Sequence, residues 1–384
     1  MDWFKRQSTL VKIIMVGVVA PMFFLCTCMT GLAVIIPKGE VPSPESSAKL
    51  EGISEDRILF RASPPGRYVL YTVNVDGTKL TKLLDIDRTD WWYVSSILSP
   101  HRNRVAFFSS DSYLSVLRID NGGVTKLIEA RQEDSEGYIA WSPDGSKIAY
   151  ASNRDLYVVN ADGSDNKKLA EHHSGKYSGR IIEDQIRCPI WSADGNQVLF
   201  DDFRAPFFFT GSPLDPGPRS IYAVNITTTK KKDLVSGARL EDQTSDRTKI
   251  LIKTGPLVWS VMNIDGSGEK ETLKLPWVPD KCKCSPDGSM IACAGVERDR
   301  ELWIIDAITG ERIPVVDEVK SVRDVVWSPD GQYIAYVSPY VPRDEIHVVR
   351  RDLSHGFLVY PGLGPREGEE RLNNIELISW LSQE

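Results

Sequence analysis

The chain has no basic excess: Lys and Arg number 46 against 53 Asp and Glu, a formal net charge of -7 over 384 residues. That balance provides no cationic face for nucleic acid or anionic lipid. Histidine is scarce, with five in all, and His101, His172, His173 and His347 fall in segments that do not converge, so no histidine metal site is expected. A Gly-x-Ser-x-Gly elbow is missing, which removes the nucleophile of the serine hydrolases; Gly266-Ser267-Gly268 reads as a hairpin turn. Cysteines are few, and four lie in the body: Cys188, Cys282, Cys284 and Cys293. Cys282-Lys283-Cys284 has too short a spacer for zinc. No catalytic residue, metal or cofactor is assigned.

Long apolar runs are likewise absent except for one, the uncharged stretch from Ile13 to Ile36. As a helix rising about 1.5 Å per residue it spans the hydrocarbon layer of a membrane. Lys5, Arg6 and Lys12 precede it, which places the N-terminus in the cytoplasm and the body outside. Two rival readings are a signal peptide cleaved near Gly31-Leu32-Ala33 and a lipoprotein signal, the latter opposed by Leu25 and Thr27 before Cys26 and Cys28. Pro37 to Leu50 is rich in Pro, Ser and charge and reads as a solvated tether. The expected order is a cytoplasmic segment 1–12, a membrane-spanning signal anchor 13–36, an extracytoplasmic linker 37–56 and a folded domain 57–384.

What the sequence does have is a repeat. Ser-Pro-Asp-Gly occurs at Ser142 to Gly145, Ser285 to Gly288 and Ser328 to Gly331, with degenerate copies at Ser99, Ser192 and Ser245. The steps between these serines are 43, 50, 53, 40 and 43 residues, the period of a four-stranded unit. Pro presets the first corner of a turn, Asp bonds its own backbone and Gly accepts positive φ, so the tetrapeptide is a tight hairpin. Asn160-Ala-Asp-Gly163 closes a second hairpin in the same unit. These Asp-Gly pairs lack the dense acidic spacing of a calcium loop.

Counting first strands gives seven, the last near Leu377, where Trp380 occupies the place of Trp141 in the best copy. Ile58-Leu-Phe60 begins a unit that has lost its first strand. The expected fold is therefore all-β: a seven-bladed β-propeller of four-stranded antiparallel blades, its first blade closed by the C-terminal strand, preceded by the membrane helix. The pattern Ile139-Ala-Trp-Ser-Pro-Asp-Gly-x-x-Ile-Ala-Tyr150, followed by Leu156-Tyr-Val-Val-Asn-Ala-Asp-Gly163, resembles the TolB-type, WD-repeat-like propeller over most of residues 57 to 384. Similar repeats occur in the non-catalytic domain of prolyl-oligopeptidase-like peptidases and in oligogalacturonate lyases, so the resemblance implies a fold more than a function. TolB itself has a separate α/β domain and six blades, and its Tol-Pal partners are not carried over.

The tight Asp-Gly turns occupy one end of the ring. The opposite end takes the irregular connections, where binding residues gather: Asp85 to Ser96 with Trp91, Trp92 and Tyr93; Glu171 to Cys188 with His172 and His173; Asp201 to Arg219 with Phe207, Phe208 and Phe209. These eight residues form the candidate binding face, with packing over the channel mouth as their structural alternative. If the hairpin at Pro286 pairs Cys284 with Ile291, Cys282 faces Cys293, and outside the cytoplasm the two could form a disulfide; free buried thiols are the other outcome. The expected function is a membrane-anchored, extracytoplasmic (periplasmic or cell-surface) binding or scaffolding module for an envelope protein or glycan. A carbohydrate-active lyase and the sensory ectodomain of a membrane complex are the alternatives.

Overall fold

The computed structural model describes residues 56–62, 67–87, 96–109, 111–130, 138–172, 174–177, 180–204, 220–255, 257–268, 271–274, 279–295, 302–314, 322–340, 343–352, 356–360 and 375–382. The chain divides into Met1–Ser46 and Ser47–Glu384, and every described residue belongs to the second unit. The anchor segment 13–36 thus lies outside the described residues. Among the described residues no helix is long and apolar enough to cross a membrane.

Strands pair into seven antiparallel sheets, each a blade. We number the blades from the one that opens at Arg57. The innermost strands are Glu376–Leu381 in blade 1, then Ser96–Leu98, Ile139–Trp141, Arg180–Trp191, Arg239–Gln243, Pro279–Cys284 and Asp324–Trp327. Each touches the next, and Asp324–Trp327 returns to Glu376–Leu381, so the ring is closed. Closure is made by the C-terminal strand, which pairs with Arg57–Ala62. The first and last described strands therefore meet in one sheet.

The hairpin from innermost to second strand is built the same way in blades 3 to 7. In blade 3 the Ser142 hydroxyl donates to Asp144 Oδ1 at 2.6 Å and accepts from the Lys147 N–H at 2.9 Å. Asp144 accepts in turn from the Ser146 N–H at 3.0 Å. Ser192, Ser285 and Ser328 repeat this with Asp194, Asp287 and Asp330. In blade 5 the serine's place is taken by Thr244, whose hydroxyl bonds Asp246 and receives the Lys249 N–H. The repeat is therefore anchored there one residue before Ser245, because a threonine hydroxyl closes the turn equally well.

Between blades the cores are filled by indoles. Trp141, Trp191 and Trp327 end their innermost strands, and each donates its Nε1–H to a carbonyl of the preceding blade: Ile97 at 3.2 Å, Ala140 at 3.0 Å and Lys283 at 3.0 Å. An indole buries a large apolar area while its one donor is satisfied. Blade 6 has Cys284 at this position; there Cys282 and Cys293, directly opposed in register, form a disulfide 11 residues apart in sequence.

Blade 4 departs from the four-stranded pattern. Its first strand, Arg180–Trp191, is 12 residues long, and its first residues pair with an added fifth strand, Ser174–Tyr177. Much of the stretch from Glu171 to Cys188, expected to be irregular, is thus β-structure. A bulge between Arg187 and Ile190, with Cys188 at φ 48°, lets the strand serve the blade and the added hairpin together.

Candidate functional site: the charged channel mouth

Because the tight turns follow the innermost strands, the first residues of those strands gather at the other end of the channel, its mouth. Apolar residues would be expected there from the best repeat, yet blades 5 to 7 place charge. Lys281 Nζ lies 3.2 Å from Asp324 Oδ2 in blade 7 and 3.0 Å from Glu376 Oε1 in blade 1. Glu376 also meets Arg61. Arg239 is 3.1 Å from Glu241, and Lys283 Nζ lies 3.2 Å from Asp242 in blade 5, a pair deeper in the channel, since each residue is next to last in its strand. Arg323 pairs with Asp344 and donates to the Ile375 carbonyl.

The carboxylates are tied to backbone as well. Asp242 accepts from the Cys284 N–H at 2.9 Å, Asp324 from the Leu377 N–H at 2.9 Å and Asp344 from the Ile375 N–H at 2.7 Å. Each of these bonds joins one blade to another or locks a blade's entry. A buried carboxylate is stable only with such partners, so the ring of charge is part of how the blades hold together.

The two lysines differ in their surroundings. Burial holds the Lys281 ammonium below the ordinary lysine value, with Asp324 pulling the other way and Lys283 adding to the depression. Lys283 is raised, chiefly by Asp242. Both side chains keep about two-fifths of their surface open, 40% and 41%. For Arg239 burial opposes the charge, but Glu241, with Cys188 and Asp201, keeps its pKa above the usual value.

Of the residues expected on the binding face, Trp91, Trp92, Tyr93, His173, Phe207, Phe208 and Phe209 lie outside the described residues. His172 is described. Its Nδ1 is 2.7 Å from Asp155 Oδ1, which also accepts its backbone N–H at 2.9 Å, and Lys168 shares that carboxylate at 2.8 Å. The histidine is fastened to the outer part of blade 3 and is not among the innermost-strand charges. His347 stacks on Tyr336 at 5.1 Å and bonds Glu345, while His101 bonds the Asp144 carbonyl at the hairpin end. Among the described residues no three His, Cys, Asp or Glu side chains are grouped to hold a metal. The mouth charges were missed by the sequence reading, although Glu241-Asp242 and Lys281-x-Lys283 inside first strands were the available signal.

No protein-family profile matches the chain. A curated relative, dipeptidyl-peptidase 5 of Porphyromonas gingivalis, is 25% identical over 224 residues, 52% of this chain but only 29% of that protein. Among solved structures, oligogalacturonate lyase from Vibrio parahaemolyticus aligns over 76% of this chain and 85% of its own, with 12% identity and a TM-score of 0.54. TolB from Acinetobacter baumannii aligns over 85% and 68%, with 14% identity and a TM-score of 0.49. At such identities the structural likenesses speak to the fold alone, that of a β-propeller.

Proposed function

We propose that this chain is a membrane-anchored propeller facing outside the cytoplasm, and that it binds an envelope protein or glycan at its mouth rather than transforming a substrate. The observation that carries this is the pairing of the charges at the mouth and in the channel behind it. Lys281, Lys283, Arg239 and Arg323 each meet a carboxylate, and those of Lys281, Lys283 and Arg323 are further held by backbone N–H groups. An acid or base in catalysis must give up and regain a proton, and groups locked in ion pairs are poorly placed to do so. They offer instead a rigid, mixed-charge rim that discriminates partners by electrostatic fit. The Cys282–Cys293 disulfide supports an oxidising compartment.

The test is proximity labelling of the anchored protein in intact cells, against a control carrying the tether alone. The expected result is an envelope neighbour enriched over that control, and its loss when Phe207, Phe208 and Phe209 are replaced by Ser without a change in melting temperature. Recovery of no envelope neighbour above the control rejects the reading.

A further inference from the structure

At the mouth, lysines and arginines face carboxylates, as Arg351 does with Asp287 at the hairpin end. At the hairpin end stand Arg102, Arg104 and Arg247, and among the described residues their bonds go to neutral groups. Arg102 donates to the Ser382 hydroxyl, Arg104 donates to the Gly145 carbonyl at 3.0 Å and covers the Trp141 ring at 4.9 Å, and Arg247 donates to the Trp141 carbonyl at 3.1 Å.

Arg247 is the most telling of the three. Ser142 closes the ladder by donating its N–H to the Lys147 carbonyl, so the neighbouring Trp141 carbonyl points away from the second strand, toward the channel. Arg247 reaches that carbonyl from blade 5, past blade 4. Its guanidinium therefore lies across the hairpin end of the channel. Arg247 also takes the turn position that glycine fills in blades 3, 4, 6 and 7: φ is 58° for Arg247 against 65°, 69°, 68° and 68° for Gly145, Gly195, Gly288 and Gly331. A side chain in that region is strained.

Burial lowers the Arg247 pKa, so the cation is under-solvated where it sits, with Asp144 acting in its favour. The Asp144 carboxylate is already engaged by Ser142 and Ser146. Among the described residues one of the several guanidinium donors meets a protein acceptor, and the remaining fork matches an oxyanion in shape and charge.

We propose that the hairpin end of the channel, centred on Arg247, binds the oxyanion of a phosphate or sulfate group. The site is on the end opposite the mouth and does not depend on the mouth's role. The group is either a free ion or one carried on a longer chain.

Calorimetric titration of the full chain with inorganic phosphate and with tripolyphosphate, at chloride-matched ionic strength, tests this. Equal affinity per group marks a free-ion site, and a preference for tripolyphosphate of about tenfold or more marks a chain-borne group; both support the site. Arg247→Gly, which suits the backbone and keeps the melting temperature in chloride, is expected to weaken binding at least about tenfold, while Lys126→Gln on the outer strand of blade 2 leaves it unchanged. Failure of both probes to bind, unaltered binding in Arg247→Gly, or an equal loss in Lys126→Gln overturns the proposal.

Discussion

Trp380 pairs across the sheet with Ile58, a strand from the far end of the described chain. Its indole is 1% exposed, stacks on Tyr333 at 6.2 Å between ring centres, and donates to Asp56 at 2.8 Å. Trp380→Ala removes a core indole and leaves the buried Asp56 without that donor. The expected loss is about 3 to 5 kcal/mol, measured by urea denaturation. A loss below about 1 kcal/mol would show that blade 1 holds together without its last strand.

The acid side of the stability curve should report the hairpin turns. The Ser142 hydroxyl, then the Ser146 N–H, hold the Asp144 carboxyl down to about 2, and the Ser192 hydroxyl acts first in lowering Asp194. A carboxylate with a depressed folded pKa stabilises the fold above its unfolded value of about 3.9, and that stability fades as pH falls toward the folded value. The midpoint of urea unfolding is therefore expected to drop between about pH 4 and pH 2. Both carboxylates are exposed, so each share is small. Asp144→Asn should flatten the slope; an unchanged slope would point to other groups.

The disulfide gives a third test. Thiol titration of the unfolded chain is expected to find two more thiols after reduction than before, those of Cys282 and Cys293. Replacing both by Ser should cost about 2 to 4 kcal/mol, with burial of two hydroxyls adding to the loss. Equal thiol counts before and after reduction would rule the bridge out.

The blade count was legible in the sequence because each blade must reverse the chain at a fixed place. Ser142, Asp144 and Gly145 have local jobs that few other residues can do, so they recur and give the period away. Ring closure was legible for a similar reason, since Trp380 repeats the place of Trp141. The channel charges were not, because Lys281 finds Asp324 and Glu376 only after three blades come together. The fifth strand, Ser174–Tyr177, escaped notice because Gly175 and Lys176 carry little strand propensity and pairing with Arg180–Glu183 is what orders them. Arg247 looked like a decayed turn; its reach to Trp141 is a property of the ring.

Glycine in the first hairpin is held by more than backbone conformation, and two positions separate the effects. Gly288 has φ +68°, and a Cβ placed there would sit 2.7 Å from Thr244 Cγ2 in the neighbouring blade. Gly237 has φ +71°, and a Cβ placed there would meet no atom of the described residues within 4 Å beyond its chain neighbours. Gly237→Ala therefore carries only the left-handed penalty, about 1 kcal/mol. Gly288→Ala carries that and a steric clash with a β-branched side chain that is stiff about χ1, so blades 5 and 6 must move apart. Its cost is expected to exceed that of Gly237→Ala by at least about 1 kcal/mol, read from paired urea melts. Equal costs would show that the two blades part there without penalty.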